Sequence, residues 1–287
     1  MSPKHRQSLA SSRSIAHAVV FSRRSPQVAL TFSTTNLLIT PLEITDPKMC
    51  PTGPAARTKI VRGDNRASYD ARQITAILDA SFICHVGFVL EGEARVIPTA
   101  YVRIDNAIYL HGHLKNQMMN TLLDGQTCCI SVTILDGLVL ARSGFHHSVN
   151  YRSVTVFGKA EKLPDDEKEL NLDRLINHLV PDRIPHLRVH TQQELKATLV
   201  VKIPIDEAAA KIRSGPPIDA EKDYDTDIWA GVINVKIILD DIENCPELND
   251  SVPTPEHVLD FVKKKDLFTR GRGTKPQSNF SASPSLL

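Results

Sequence analysis

The chain has 287 residues, 41% of them hydrophobic and 23% charged, enough to bury a core and keep the surface in water. Its 34 basic and 33 acidic residues leave a net charge of +1, so no global field draws it to nucleic acid or to a membrane. Five cysteines (Cys50, Cys84, Cys128, Cys129, Cys245) form no CxxC pair, which speaks for a reducing compartment and against a zinc ribbon or disulfide scaffold, and no apolar run approaches a membrane span.

Residues 1–42 contain no Asp or Glu, many serines, and four arginines, Arg6, Arg13, Arg23 and Arg24. Residues 1–56 therefore read as a disordered extension or a mitochondrial presequence; an upstream start is a further alternative, since Met49 lies just before the patterned region. The expected location is the cytoplasm, with the mitochondrial matrix as the alternative. "SYDARQITAILDA" places Ile74, Ile77 and Leu78 at helical spacing. "ICHVGFVLEGEARVIPTAYVRIDNAIYLHG" then offers three β-rich runs separated by Glu-Gly and Asp-Asn. After a short amphipathic helix carrying Met118, Met119, Leu122 and Leu123, "TCCISVTILDGLVLARS" is another apolar strand, with Asp136-Gly137 as a hairpin-type pair inside it. "NYRSVTVFGKAEKL" alternates as a strand, and "DDEKELNLDRLINHLV" reads as a helix with acids in its first turn. "ATLVVKIPI" is a further strand and "DEAAAKIRSG" a short helix, capped by Asp206 and ended by Gly215. About six strands with helices inserted between them fit an antiparallel barrel over residues 57–250. Residues 251–287, with a Gly-, Pro- and Ser-rich tail, read as a largely disordered extension.

The candidate chemistry gathers at "IYLHGHLKNQMMNTLLDG", where a strand runs into a helix. Gly112 lets a ligand approach the backbone, and the helix that follows exposes its first N–H groups near His113 to Asn116, which favours a phosphate. Lys115 and His113 add charge; an ordinary strand-to-helix turn fits the same residues. Pro98 removes a ladder N–H from "RVIPTAYV", opening an edge where Ile97 and the Thr99 hydroxyl could border a flat ligand. Arg152 is able to grip a phosphate or a ring carbonyl, or is a plain strand arginine. His111 and His113, two apart on a strand, with His146 and His147 in a loop, admit a metal, but no zinc spacing accompanies them and no metal is expected. "DAEKDYDTD" lacks the glycine and distal glutamate of a calcium loop and reads as solvated. Trp229, beside a glycine, fills the core or walls a flat ligand, the core being the simpler expectation.

Taken in order, "HVGFV", "VIPTAY", "IYLHGH", "VTILDGLVLARSGFHHSVNYRSVTVFGKAEKL", "AAAKIRSGPP" and "WAGVI" resemble the pyridoxamine 5′-phosphate oxidase-like, FMN-binding split-barrel family, in the branch of the 5-nitroimidazole-resistance flavoproteins. The resemblance implies a mainly β (α+β) fold, a six-stranded Greek-key FMN-binding split barrel with flanking helices. It also implies a homodimer with two FMN molecules at the subunit interface, each contacted by both chains. Ile97, Pro98 and Thr99 would line the flavin, and His111, Gly112, His113 and the turn after them would take its phosphate. Arg152 and Ser153 would approach from the next strand, and the Phe145–His147 loop and Trp229 would face the open side of the ring. The family pattern leads one to expect Ser, Ser and Arg where this chain has His113, Asn116 and Gln117. The phosphate-holding arginine is thus absent, with Lys115 left to replace it and the His113, Asn116 and Gln117 side chains to donate hydrogen bonds. The carboxy-terminal arginine-histidine signature of a pyridoxine phosphate oxidase is also missing. The activity then expected is FMN-dependent reduction of a small flat electron-poor substrate, a nitroaromatic or a quinone, with His111 or His147 as proton donor. The alternatives are a flavin- or haem-binding protein without turnover, and a protein that has lost its cofactor and acts through its dimer surface.

Overall fold

A computed structural model describes residues 53–264, so the arginine-rich presequence candidate and the Gly-, Pro- and Ser-rich tail lie outside the described residues. Ten strands and five α-helices are present among them: β1 (Ala67–Ser68), α1 (Ala71–Leu78), β2 (Ile83–Leu90), β3 (Glu93–Ile104), β4 (Ala107–His113), α2 (Gln117–Leu123), β5 (Thr127–Leu140), β6 (Ser148–Lys159), β7 (Glu161–Lys162), α3 (Lys168–Leu179), α4 (Gln192–Ala197), β8 (Thr198–Pro204), β9 (Glu207–Arg213), β10 (Gly231–Asn234) and α5 (Glu256–Lys263). The strands are antiparallel in the order β1-β9-β6-β5-β2-β3-β4-β8-β7, with β10 beside the end of β5. This is a split barrel with flanking helices, and each of the six strands read from the sequence is in it.

Local chemistry sets the pieces. Asp70 caps α1 by accepting from the Gln73 N–H at 2.9 Å, and Ile74, Ile77 and Leu78 turn inward. Glu91 and Gly92, with φ of 55° and 82°, make the left-handed pair that a tight β2–β3 hairpin needs. The barrel forms because β3 changes partner: Glu93 to Ala100 pair with β2, and Tyr101 to Ile104 pair with β4. It closes because the chain leaves β8 on β4, turns at Ile205 and Asp206, and enters β9 on β6. Gly158 permits that closure, since a Cβ there would lie 2.5 Å from the Pro204 carbonyl oxygen. Inside sit Val86, Tyr101, Leu110, Met119, Leu122, Ile130, Val132, Val154, Val156 and Ile203. Each such fully buried apolar side chain contributes about 1.5–3 kcal/mol. The Tyr101 hydroxyl donates to the Leu78 carbonyl, which satisfies the one polar group this side chain brings inside.

Four local expectations are corrected. "DEAAAKIR" is not a helix but strand β9, paired along its whole length with β6. Helix propensity differs by at most ~0.7 kcal/mol per ordinary residue, and a short segment cannot repay helix nucleation on its own. Burial of Ala208 and Ala210 against Val156 and Val154 outweighs it. Asp136-Gly137 is not a hairpin either: β5 runs through it, with a bulge between Leu135 and Gly137. Gly137 serves β10, since a Cβ there would stand 3.0 Å from the Ile233 carbonyl oxygen. Trp229 is 68% exposed, so it does not fill the core. Asp219, the first acid of "DAEKDYDTD", is buried and holds Arg142 through its Nη1 at 3.0 Å and its backbone N–H at 2.9 Å. Within residues 251–287, read as largely disordered, the described part carries the short amphipathic helix α5.

Candidate functional site

The change of partner in β3 creates an opening. Tyr101–Leu110 is the first pair of the β3–β4 ladder; on the other side of it, the two strands part. Ile97, Pro98 and Thr99 pair only with Val86, His85 and Cys84 of β2, while His111, Gly112 and His113 pair only with Val200, Leu199 and Thr198 of β8. Proline lacks the N–H for a second ladder, so Pro98 suits an edge left open toward β4. The residues singled out in "VIPT" and "LHGH" therefore form the two lips of one cleft.

Its floor is the strand-to-helix corner. A Cβ on Gly112 would lie 3.3 Å from both the Asn116 amide nitrogen and Met119 Cγ, so α2 seats directly on the bare backbone. Much of the corner is satisfied from within. The Lys115 N–H donates to His113 Nδ1 at 3.1 Å, and the Met119 N–H donates to Asn116 Oδ1 at 3.1 Å. Asn120 Nδ2 donates to the carbonyls of Leu114 and Asn116, each at 2.9 Å. Among the described residues, the N–H groups of Gln117 and Met118 find no acceptor. Those two donors, the exposed Lys115 ammonium and the Gln117 amide are what the corner offers an anion. On the β4 lip, His111 Nδ1 is buried with no hydrogen-bond partner. Burial also pushes the His111 pKa below its ordinary 6.5, so at neutral pH it is an uncharged imidazole and not a stored proton.

The remaining candidates stand elsewhere. Arg152 Nε and Nη2 donate to the two carboxylate oxygens of Asp136, both at 2.8 Å, which braces β6 against the β5 bulge. That fork is taken by a carboxylate of its own chain, which argues against the phosphate grip read from sequence. Asp136 was missed as its partner because Asp-Gly looked like a turn. Ser153 Oγ donates to the Lys211 carbonyl at 3.2 Å. His147 Nδ1 meets the Ser143 carbonyl oxygen at 2.9 Å, and exposed Phe145 packs edge-on against His146. Trp229 lies over Gly231, where a Cβ would come within 2.8 Å of its Cζ2. His147 and Trp229 flank the same end of β5, because Ser148 pairs with Val139 and Gly231 with Leu140. His85, beside Pro98, instead pairs with Ser131 near the middle of β5. Eight residues separate those points, about 25 Å of strand at ~3.3 Å per residue. In one chain the cleft and the Phe145–Trp229 group are therefore separate.

Fold and cleft together define a split barrel open between its two sheets. Comparison with known proteins gives the same class: the family model described as pyridoxamine 5′-phosphate oxidase matches residues 70–212. The flavocytochrome Anf3 from Azotobacter vinelandii is 36% identical over 73% of this chain and 98% of its own, with a TM-score of 0.70. The FAD and haem binding protein from Mycobacterium smegmatis is 31% identical over 70% of this chain and 98% of its own, with a TM-score of 0.68. A search of curated proteins found no match. The chain belongs to the pyridoxamine 5′-phosphate oxidase-like family.

Proposed function

We propose that the protein is a flavin-binding redox protein whose flavin lies in the β3–β4 cleft. The observation that carries this reading is the pair of relatives above 30% identity, matched over nearly their full length, whose names state a flavin. The cleft fits such a group in two respects. His111 presents a buried nitrogen without a partner, and the Gln117 and Met118 N–H groups, on the helix that Gly112 lets in close, find no acceptor among the described residues. Lys115 is the cation at the corner.

Of the flavins, FAD suits this charge inventory better than the FMN that the sequence resemblance implies. A terminal phosphate carries close to two negative charges at neutral pH, and one flexible lysine is a modest counterweight. A diphosphate linkage carries about one charge per phosphorus and leaves the adenosine to add contacts of its own. Ile97, Pro98 and Thr99 would border the ring, with Lys115 and Gln117 at the phosphate. A bound flavin would supply the electron transfer, here to a small flat electron-poor molecule such as a nitroaromatic or a quinone. A neutral His111 would orient the ring by one hydrogen bond.

A homodimer follows in the same reading. The Phe145, His147 and Trp229 group reaches a flavin in the cleft only if it comes from a second copy. Exposed Val96, Ile97, Leu135, Leu138, Trp229 and Ile233 provide apolar surface for such a contact. A second reading, haem held in addition or instead, is favoured by the haem named for the Mycobacterium smegmatis protein and by the word flavocytochrome for the Azotobacter one. His85, His111 and His113, on and beside the lips, are the residues that would hold it. The test is the visible spectrum of the protein as isolated, followed by acid release and mass identification of what comes off. Flavin bands that bleach anaerobically with NADH or NADPH support the redox reading, and a Soret band adds haem. A colourless protein that binds FAD, FMN and haem without saturation would end it.

A further inference from the structure

The β1–β9–β6 side of the sheet carries a second feature, which the cofactor reading does not use. Arg213, the last residue of β9, is only 8% exposed, yet no carboxylate pairs with it among the described residues. A buried guanidinium without a counterion is costly, because its charge has left water and met no opposite charge. Its Nη1 donates to Asn150 Oδ1, and Asn150 Nδ2 donates on to the Gly215 carbonyl at 3.0 Å. That amide fixes the side chain without neutralising it. Nε and Nη2 make no hydrogen bond among the described residues, and neither is sealed from solvent. Both can therefore be reached from outside.

Two more cations converge on it. Lys211 lies two residues back, on the same face of β9. A Cβ on Gly63 would lie 3.8 Å from both Arg66 Cδ and Lys211 Cε, so the two stems meet over that glycine. Burial first and Arg66 next push the Arg213 pKa down, with the Tyr151 phenol opposing them. Neither Arg66 nor Lys211 is in a salt bridge among the described residues, and Lys211 Nζ donates to the Arg62 carbonyl at 3.1 Å. The acids nearby are already committed. Glu207 holds Arg57 through bonds of 2.7 and 3.1 Å, and Asp136 holds Arg152. Asp64, in the turn before β1, is exposed and turns its Oδ1 to the Asn65 N–H at 2.9 Å, so it offsets at most one of the three charges.

We propose that Arg213, Arg66 and Lys211 form a binding site for a phosphate-bearing ligand, with a diphosphate as the fitting group. The free Nε–H and Nη2–H of Arg213 make one side of a planar fork, which matches two oxygens of one phosphate. Lys211 stands about 7 Å along β9, a spacing that suits a second, linked phosphate better than a single one. Arg66 would close over the pair from the turn before β1. A carboxylate brings one charge and would leave the others unmet. This chemistry has two sources. One is the phosphate end of a flavin held in the cleft of a second copy, a source that rests on the flavin reading. The position allows it: Arg213 pairs with Tyr151, which is about 10 Å along β6 from Ser148, beside the Phe145–Trp229 group. The other source is a free phosphate ester, which needs no flavin.

Calorimetric titration of the full-length protein with inorganic pyrophosphate, in about 0.15 M salt to screen loose surface attraction, tests it. The titration is run on flavin-free and on flavin-loaded protein. Saturable binding of one pyrophosphate per chain is expected in the flavin-free form. The Arg66→Gln, Lys211→Gln double variant removes two charges outside the core and should weaken it by about tenfold or more. Arg213→Lys keeps the charge but loses the fork, and should weaken it by about fivefold. If loading with flavin blocks pyrophosphate and the variants lose flavin affinity in step, the phosphate is the flavin's. If both forms bind alike and the variants keep their flavin affinity, or the protein takes up no flavin at all, the ligand is a free ester. Absence of saturable binding in either form overturns the proposal. So does binding that sulfate matches in affinity, or that both variants leave unchanged, which would mark an adventitious ion only.

Discussion

Asp136→Asn separates a structural arginine from a ligand-gripping one. In the native chain the Arg152 fork meets the Asp136 carboxylate in two charge-assisted bonds of 2.8 Å, and the two side chains are only 11% and 23% exposed. Exposed pairs contribute about 0–1 kcal/mol, whereas removing one partner of a fully buried pair costs about 3–5 kcal/mol. With exposure between those limits, and with an amide NH₂ now turned toward a donor, the expected loss is about 2 kcal/mol. For a domain of this size that is a fall in Tm of roughly 4–8 °C. A double-mutant cycle with Arg152→Gln should show about 1–2 kcal/mol of coupling, since either single change already removes the same contact. Flavin affinity, measured by fluorescence titration well below the melting range, should stay within about threefold, a shift under about 0.7 kcal/mol. If Arg152 instead turns to a phosphate, releasing it from its carboxylate would tighten flavin binding. A tenfold gain in affinity in Asp136→Asn would therefore refute the bracing role.

Gly158→Ala forces a methyl group to within 2.5 Å of the Pro204 carbonyl oxygen and 2.8 Å of Ile203 Cγ2. Backbone must move at the barrel closure, so denaturant unfolding should show a loss of about 2–3 kcal/mol, and a loss below about 0.5 kcal/mol would contradict the contact. At Gly112 the clash is milder, 3.3 Å to a side-chain amide and to Met119 Cγ, and so Gly112→Ala should lower stability by less than about 1 kcal/mol. Because the methyl group faces α2, it acts on flavin affinity only by shifting the Gln117 and Met118 N–H groups, so fluorescence titration should show a loss of about fivefold or less. Burial pushes the Cys84 and Cys128 thiols up from 9.0, to about 12 and about 11. Because the raised folded values favour the neutral thiol, their contribution is complete below about pH 9 and is lost as pH climbs toward them. Between pH 9 and 10.5 each thiol should remove about 2 kcal/mol of stability, and Cys84→Ala should flatten that slope in urea titrations. At neutral pH, exposed Cys245 should alkylate while Cys84 and Cys128 stay unlabelled by mass spectrometry.

Much of this fold was legible because the signals were redundant. In β2, β3, β4 and β6, apolar alternation, β-branched composition and turn residues agree, and the structure follows them. Each misread segment offered one local signal, which a distant contact outvoted. "DEAAAKIR" has three alanines and a capping aspartate, yet its neighbours along the chain matter less than the open edge of β6, which needs small side chains at that depth. Asp136-Gly137 has turn composition, but the aspartate is there for Arg152 and the glycine for the approach of β10. Neither partner lies close enough in sequence for a local reading to find it.

The cleft was legible for a different reason: it is made by backbone. A proline that cannot pair, a glycine that leaves room and a helix start that leaves donors are visible as letters, and "VIPT" and "LHGH" do form its two lips. Side-chain roles were harder, because they depend on which neighbour claims each group first. His113 and Asn116 were expected to face an anion, and each spends an acceptor on the corner's own N–H groups. His111 sat in the same motif, and its partnerless buried nitrogen emerges only once β8 covers it. The corner thus keeps two backbone donors and one mobile cation where the family pattern has an arginine. That deficit bears on affinity more than on fold, since strand pairing and core burial do not pass through residue 117. A flavin whose binding is shared among ring, ribityl chain, diphosphate and adenosine tolerates the loss better than one anchored by a single terminal phosphate.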